Sequence, residues 1–368
     1  MHSRILLILL FAFIIIFITV FTAHIYSKEF NLSSHHSKNL MVALLFAPLA
    51  FMASLIADRT AKWGMGPKLY TIINTIAGLF FFAFLGAVIL GLLMLITNTT
   101  NIAFPSPLAN IILGTAVALG LLGVVQSRYF KVVERTVVLP NAPLSWHGKK
   151  AVLVSDTHFG LVNHKKFSDR IVQKIIALEP SFVLHGGDFY DGPKVKMEPL
   201  TESWRALTDR VPVFYTSGNH ESYGDYHAFI DSIRAAGITV LLDEKTIHDG
   251  VQIAGMTYRE GQKSAEADEA ITKLALDPTT PSILINHPPT SLLAAKNAGV
   301  NLMVSGHTHN GQFWPLTYVV RKVYGKYHYG HTSYETMDTI TSSGVGTWGH
   351  AIRLFNTPEL VVINFKTS

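Results

Sequence analysis

Residues 151–158 read AVLVSDTH: a short apolar run, a serine, then an aspartate and a histidine two positions apart. A run of this length bounded by polar residues reads as a buried β-strand rather than a helix. The same construction recurs down the chain. Phe182–His185 runs into Gly186-Gly187-Asp188, Val213–Ser217 into Gly218-Asn219-His220-Glu221, Ser282–Asn286 into His287, and Leu302–Ser305 into Gly306-His307-Thr308-His309. Helix-like segments lie between these runs at Lys165–Leu178, Tyr226–Ala236 and Ser264–Leu276. Upstream, Val132–Leu139 alternates like a first strand before a Pro140-Asn141 turn. Short buried strands alternating with helices specify a layered α/β domain, in which loops beyond the strands' carboxyl ends gather ligands.

Taken singly, most of these clusters are ordinary loop chemistry. Only Gly-His-Thr-His points to a metal unaided, because its two imidazoles fall on one side of an extended segment. Taken together, Asp156, His158, Asp188, Asn219, His287, His307 and His309 come from five strand ends. Folding alone gives no reason to gather such groups, since buried polar side chains are costly without partners. A two-metal hydrolytic site does require them: cations about 3.5–4 Å apart need one shared carboxylate and a mixture of imidazole and oxygen donors. Asp188 is the natural bridge. Imidazole and carboxylate without thiolate suit manganese, iron or zinc, and Asn219 would add an uncharged amide oxygen. With no cysteine among its 368 residues, the chain has no disulfide, thiolate nucleophile or cysteine-ligated cluster.

The first third has a different composition. Residues 1–127 carry six Lys/Arg and two acids, leaving 24 and 23 for the remainder, so the net charge of +5 is mostly N-terminal. Four uncharged apolar stretches, Ile5–Ala23, Leu40–Ala57, Tyr70–Thr97 and Ile111–Val125, approach the length that crosses a ~30 Å hydrocarbon layer. The first is too long for a secretory signal and is read as an uncleaved helix. Arg4, the loop cations Arg59, Lys62 and Lys68, and Arg128, Lys131 and Arg135 outweigh Lys28 and Lys38, which places both chain ends in the cytoplasm. No ionisable residue lies within the spans, which argues against transport. The pairs Gly114/Ala118 and Ala116/Gly120 are spaced for close helix packing.

The ordered series Asp156-x-His158, Gly187-Asp188-x-x-Asp191, Gly218-Asn219-His220-Glu221, His287 and Gly306-His307-x-His309 resembles the calcineurin-like metallophosphoesterase superfamily over roughly residues 150–368. The stretch Gly306–Gln312, with Gly344–Gly349 and Arg353, is similar to its membrane-associated YkuE/YaeI-like branch, and four preceding helices resemble the transmembrane metallophosphoesterases. The resemblance implies two mixed β-sheets sandwiched and flanked by helices. It implies that Asp156, His158 and His309 hold one divalent metal ion, Asn219, His287 and His307 the other, and Asp188 both. His220 would be catalytic, stabilising phosphoryl oxygens or protonating the leaving group, with Asp191 and Glu221 orienting from behind. Glu221 departs from the usual Asp, Pro288-Pro289 follow His287, and Asn310 replaces a common Gly.

The resulting expectation has three parts: a four-helix transmembrane bundle over 1–127, a linker and first strand over 128–149, and the phosphoesterase domain over 150–368. The activity expected is hydrolysis of a phosphodiester, phosphomonoester or pyrophosphate, of a lipid or lipid-linked substrate among others, by in-line attack of a metal-bridged hydroxide. The protein is expected to be a multi-pass cell-membrane protein with this domain in the cytoplasm. A near-neutral domain argues against nucleic-acid partners. A catalytically idle metal-binding regulator is the competing reading, and the intact His220 weighs against it. Trp314, Tyr318, Tyr327, Tyr329 and Trp348 could line an apolar approach for a lipid-linked substrate but are read first as sandwich core, His185 as packing on the Gly-Gly-Asp turn, and His350 as belonging to a loop that could approach the metals.

Overall fold

Apolar stretches and alternating runs build different units. A computed structural model describes residues 2–60, 66–100, 102–105, 107–192, 195–258 and 264–367. It divides into Met1–Val125 with Gly349–Ile352, and Gln126–Trp348 with Arg353–Ser368.

The first unit contains, among the described residues, helices α1 (His2–Glu29), α2 (Ser34–Thr60), α3 (Pro67–Thr100) and α4 (Pro107–Gln126). Three helical segments, Ser34–Ser54, Pro67–Thr100 and Pro107–Gln126, are long and apolar enough to cross a membrane. For the first expected span, residues 5–12 have side chains outside the described set, as do Arg4 and Arg59, and Lys62 lies outside it altogether. Outward-facing Phe17, Leu49, Ile72, Leu92 and Leu121 are exposed, a surface that suits lipid rather than water. Of the small-residue pairs, only Ala116/Gly120 makes a contact: a Cβ on Gly120 would meet Leu79 at 2.6 Å, whereas one on Gly114 would meet nothing within 4 Å. His350 belongs to this unit, its Nδ1 3.2 Å from the carbonyl oxygen of Asn74.

The second unit adds helices α5 (Lys165–Ala177), α6 (Met197–Thr208), α7 (Tyr226–Ala235), α8 (Ser264–Lys273), α9 (Leu292–Asn297) and α10 (Leu316–Tyr324). Its strands are β1 (Lys131–Leu139), β2 (Lys150–Val154), β3 (Phe182–His185), β4 (Val213–Tyr215), β5 (Thr239–Val240), β6 (Glu244–His248), β7 (Val251–Gly255), β8 (Ser282–Ile285), β9 (Leu302–Ser305), β10 (Gly330–Tyr334), β11 (Met337–Thr341) and β12 (Glu359–Thr367). Among the described residues they form two six-stranded mixed sheets, ordered β1-β12-β2-β3-β4-β5 and β10-β11-β9-β8-β7-β6. The parallel cores are β2-β3-β4-β5 and β11-β9-β8-β7.

Period-2 alternation sorts the side chains into layers. Leu153, Leu184 and Phe214 meet Ile253, Ile283 and Val304 between the sheets. Val152, Val154 and Val183 face Ile171, Trp204 and Ile233 of α5, α6 and α7, while Leu284 and Met303 face Ile271 of α8 and Leu274 just after it. Strands buried on both faces carry the near-continuous apolar runs seen in the sequence. This layering also brings the carboxyl ends of β2, β3 and β4 from one sheet, and β8 and β9 from the other, to one place.

Candidate metal centre

The strand ends are laced together by backbone bonds before any side chain is considered. Asp156 N donates to Gly187 O (3.0 Å), His158 N to Asp188 O (3.1 Å), and Gly306 N to His287 O (2.9 Å). The chain turns sharply after β2, β3 and β9: φ is positive at Asp156 (55°), His158 (46°), Asp188 (54°), His307 (69°) and His309 (48°). Left-handed backbone at a residue with a side chain costs about 1–3 kcal/mol and concentrates at functional sites. Two glycines permit the close approach. A Cβ on Gly218 would lie 2.1 Å from Asp188 Oδ1, and one on Gly306 would lie 2.2 Å from Asp156 Oδ2.

The seven residues expected as metal ligands converge. His309 Nε2 lies 3.2 Å from Asp156 Oδ1 and 3.0 Å from His158 Nε2. Asn219 Oδ1 lies 2.9 Å from His307 Nδ1 and 3.2 Å from His287 Nε2. The Asp188 carboxylate joins the two groups, its Oδ2 being 3.7 Å from His158 Nε2 and 3.2 Å from His287 Nε2. Asp156, His158, Asp188, Asn219, His287 and His309 are buried and His307 half-buried. A cavity of about 440 Å³ opens on Asp188, Asn219, His220, His307 and His309.

The donor chemistry fits a cation pair. Ligation needs ionised carboxylates and neutral imidazoles. Burial pushes Asp188 up, but the neighbouring histidines, His287 first, hold it well below the usual carboxylate range. Burial, helped by the charge on His220, pulls His158 down to about 3, and burial with His287 pulls His307 down to about 4. His287 is the exception: burial opposes its charge, yet Asp188 raises it to about 9, so a cation bound there would displace a proton. The Nδ1–H of His287 donates to Gly186 O at 2.6 Å, the contact that aims Nε2 at a metal. Two ring nitrogens meeting at 3.0 Å in His158 and His309 are also explained by ligation.

The expected supporting residues lie behind and beside this cluster. Glu221, fully buried, accepts from Gly218 N (2.7 Å) and Asp188 N (3.2 Å) with Oε2, and from Phe189 N (2.7 Å) and Tyr190 N (3.2 Å) with Oε1. His220 N donates to Asp188 Oδ1 at 2.8 Å, while its ring Nδ1 lies 2.8 Å from Asp191 Oδ1, which leaves Nε2 for the cavity.

Five residues depart from the sequence reading or go beyond it. Arg353, named there only as part of the branch pattern, is fully buried, with Nη2 2.8 Å from His309 Nδ1 and Nη1 donating to His309 O at 3.0 Å. Nothing in the local pattern announces this, because 44 residues separate the two. Trp314, Tyr318 and Trp348 are not core: they are 47%, 65% and 46% exposed. His185 is buried among Phe189, Trp204 and Tyr215 and accepts from Gly187 N, beneath the turn it was expected to support.

Residues 149–311 match the family model described as calcineurin-like phosphoesterase. An uncharacterized metallophosphoesterase of Campylobacter jejuni, Cj0846, is 29% identical over 220 residues, covering 59% of each chain. A zebrafish (Danio rerio) transmembrane protein with metallophosphoesterase domain is 28% identical over 276 residues, 70% of this chain and 62% of the relative. The uncharacterized metallophosphoesterase YkuE of Bacillus subtilis is 26% identical over 258 residues, 66% of this chain and 88% of its own. The chain thus spans about three-fifths of the length of the first two. Residues 149–311 are a calcineurin-like metallophosphoesterase domain.

Proposed function

We propose that this domain hydrolyses a phosphoester with two divalent cations, as part of a membrane-anchored protein whose helical segment covers 1–127 and whose catalytic domain covers 150–368. The observation that carries the reading is Asp188, whose carboxylate lies within 3.7 Å of His158 and 3.2 Å of His287 and so joins two groups of donors. Asp156, His158 and His309 would hold one cation, Asn219, His287 and His307 the other, and Asp188 both. The cations would be manganese, iron or zinc. Once bound, they supply Lewis-acid stabilisation of charge on the phosphoryl oxygens and lower the pKa of water.

The remaining work falls to the chain's own groups. The Asp191 carboxylate accepts the Nδ1–H of His220 and fixes the ring, so that Nε2–H can donate to a phosphoryl or leaving-group oxygen. Glu221 holds the turns carrying Asp188 and Asn219 in one geometry through the four amides it binds. The intact His220–Asp191 pair favours a hydrolase over an idle regulator. Diesters, monoesters and pyrophosphates all present the oxygens that this constellation addresses.

The test is turnover of bis(4-nitrophenyl) phosphate by the purified full chain with manganese. Asp188→Asn and His309→Ala should each lose about a thousandfold or more, as when a positioned charge-stabilising group is removed. Wild-type turnover no greater than theirs would refute the hydrolase. Arg128, Lys131 and Arg135 support a cytoplasmic domain, and a reporter fused after Ser368 that reads extracytoplasmic would refute that orientation.

A further inference from the structure

We infer that α10 and its flanks form an interfacial surface that seats on an anionic bilayer, so that the cleft takes phosphoesters carried on an apolar chain. The substrate part of this inference rests on the hydrolase reading; the docking part does not.

None of the side chains of α10 is buried. Tyr318, Val319 and Val323 are 65%, 58% and 67% exposed, and the neighbouring Trp314, Trp348 and Phe355 are 47%, 46% and 72% exposed. Single exposed apolar residues need no explanation, but six large ones within one helix and its flanks mark an interaction site. The cations are placed as a membrane surface requires. Arg321, Lys322 and Lys326 are exposed, and residues 312–334 contain no acid. Aromatic and aliphatic residues alternating with Lys and Arg on a short helix are the composition of an interfacial element, the apolar face entering the headgroup boundary and the cations meeting anionic lipid. A protein partner of ordinary composition would not call for this acid-free, tryptophan-flanked pattern.

A bilayer is also the partner at hand, because the same chain carries helices long and apolar enough to cross one. The same helix reaches the chemistry: Leu316, Val320 and Tyr324, with Val319 and Trp348 at the rim, line the cavity that opens on Asp188 and His220. One helix therefore offers an apolar outer edge to lipid and an apolar wall to the cleft. A phosphoester whose chain lies in the bilayer could keep that chain in apolar surroundings while its phosphate reaches the metal ligands.

The chain lacks cysteine, so Val323→Cys and, as reference, Ile247→Cys on β6 each give one spin-labelling site on the full-length protein. Both positions are exposed, at 67% and 66%. In phosphatidylglycerol-containing vesicles the label at 323 should be open to oxygen and shielded from a water-soluble nickel chelate, and the label at 247 the reverse. Arg321→Glu/Lys322→Glu should diminish the shielding. Equal nickel access at both positions overturns the docking, shielding at 323 from both reagents means protein cover and overturns it too, and shielding indifferent to the charge reversal overturns the anionic preference.

The substrate arm compares 4-nitrophenyl methyl and 4-nitrophenyl dodecyl phosphodiesters presented with the same vesicles. The dodecyl ester should be favoured by about tenfold or more in kcat/KM, since each buried methylene adds to partitioning. Tyr318→Ser/Val323→Ser, which touches no residue lining the cavity, should remove that gain and leave methyl ester turnover unchanged. Equal rates for the two esters overturn the amphiphilic substrate. Failure to cleave either one overturns the hydrolase itself, and the spin labels still decide the docking.

Discussion

Replacing Glu221 by Gln removes one acceptor oxygen and puts an NH2 group in its place. In the native arrangement each carboxylate oxygen accepts two backbone N–H groups: Oε2 from Gly218 and Asp188, Oε1 from Phe189 and Tyr190. Burial and Asp188 push the Glu221 pKa up, while the amides of Gly218 and Tyr190 pull it back. With all four donors aimed at its two oxygens, the geometry fits the ionised form. Whichever way the substituted side-chain amide turns, two buried N–H groups face nitrogen instead of oxygen. Each orphaned donor costs about 1–3 kcal/mol, so the substitution should destabilise the domain by roughly 2–6 kcal/mol, a large part of a typical total of about 5–15 kcal/mol. Urea unfolding of the full chain in detergent, with chelator present, would measure this through the fully buried Trp146 and Trp204. Glu221→Asp keeps both acceptors but shortens the reach by one methylene, and should fall between wild type and Glu221→Gln. A loss below about 1 kcal/mol for Glu221→Gln, the net worth of a single ordinary hydrogen bond, would refute the four-bond account and imply a protonated Glu221.

Gly218→Ala places a Cβ 2.1 Å from Asp188 Oδ1, so bound metal measured by elemental analysis should fall, with a stability loss of about 1–3 kcal/mol from overpacking. His220→Gln should lower kcat/KM by about 10²–10⁴ while metal content stays unchanged, as befits an acid–base group rather than a ligand. Asp191→Asn should cost less than that, because an amide oxygen can still accept from His220 Nδ1–H. Arg353→Met removes the guanidinium beside His309 Nδ1 and leaves the Gly346 carbonyl without its donor, while Asn356 Nδ2 still donates to the His309 carbonyl; metal occupancy should drop, with about 1–3 kcal/mol lost in unfolding for the unsatisfied group. Chelation of the wild type should lower its stability by about 4 kcal/mol relative to metal at a thousand times its dissociation constant.

The strand ends were legible because each is a local event. In Ala151–His158 the apolar run, the polar break and the two ligands fall within eight residues, and the strand at Lys150–Val154 forms where the run is. Helices α5, α7 and α8 follow the expected segments to within a few residues for the same reason. Arg353 beneath His309 was not legible, since the contact is made by folding and no spacing announces it. Helix α10 misleads in a more instructive way. Leu316, Val319, Val320 and Val323 stand at helical spacing, and periodicity reports which face a segment would bury, not whether anything is there to bury it against. Trp314, Tyr318 and Trp348 were read as core because aromatics of a sheet sandwich usually pack inside it, which assumes that water is the only alternative to the interior.

The ligand loops show why a polar cluster can be readable where an apolar one is not. Asp156, His158, Asp188, His307 and His309 all sit at φ between 46° and 69°, a region that Asp and His enter more readily than β-branched residues. Five such positions carry about 1–3 kcal/mol of strain each, and relaxing them would undo the convergence of the donors together with the backbone bonds that lace the strand ends. That convergence, with nitrogen and oxygen atoms 3.0–4.0 Å apart across strand ends of two sheets, is what the strain maintains. A surface turn can be rebuilt from many sequences, whereas a turn that must both reverse the chain and present an imidazole or carboxylate at one point admits few. The residue types in these loops therefore report geometry and chemistry together, and α10 reports only an apolar face.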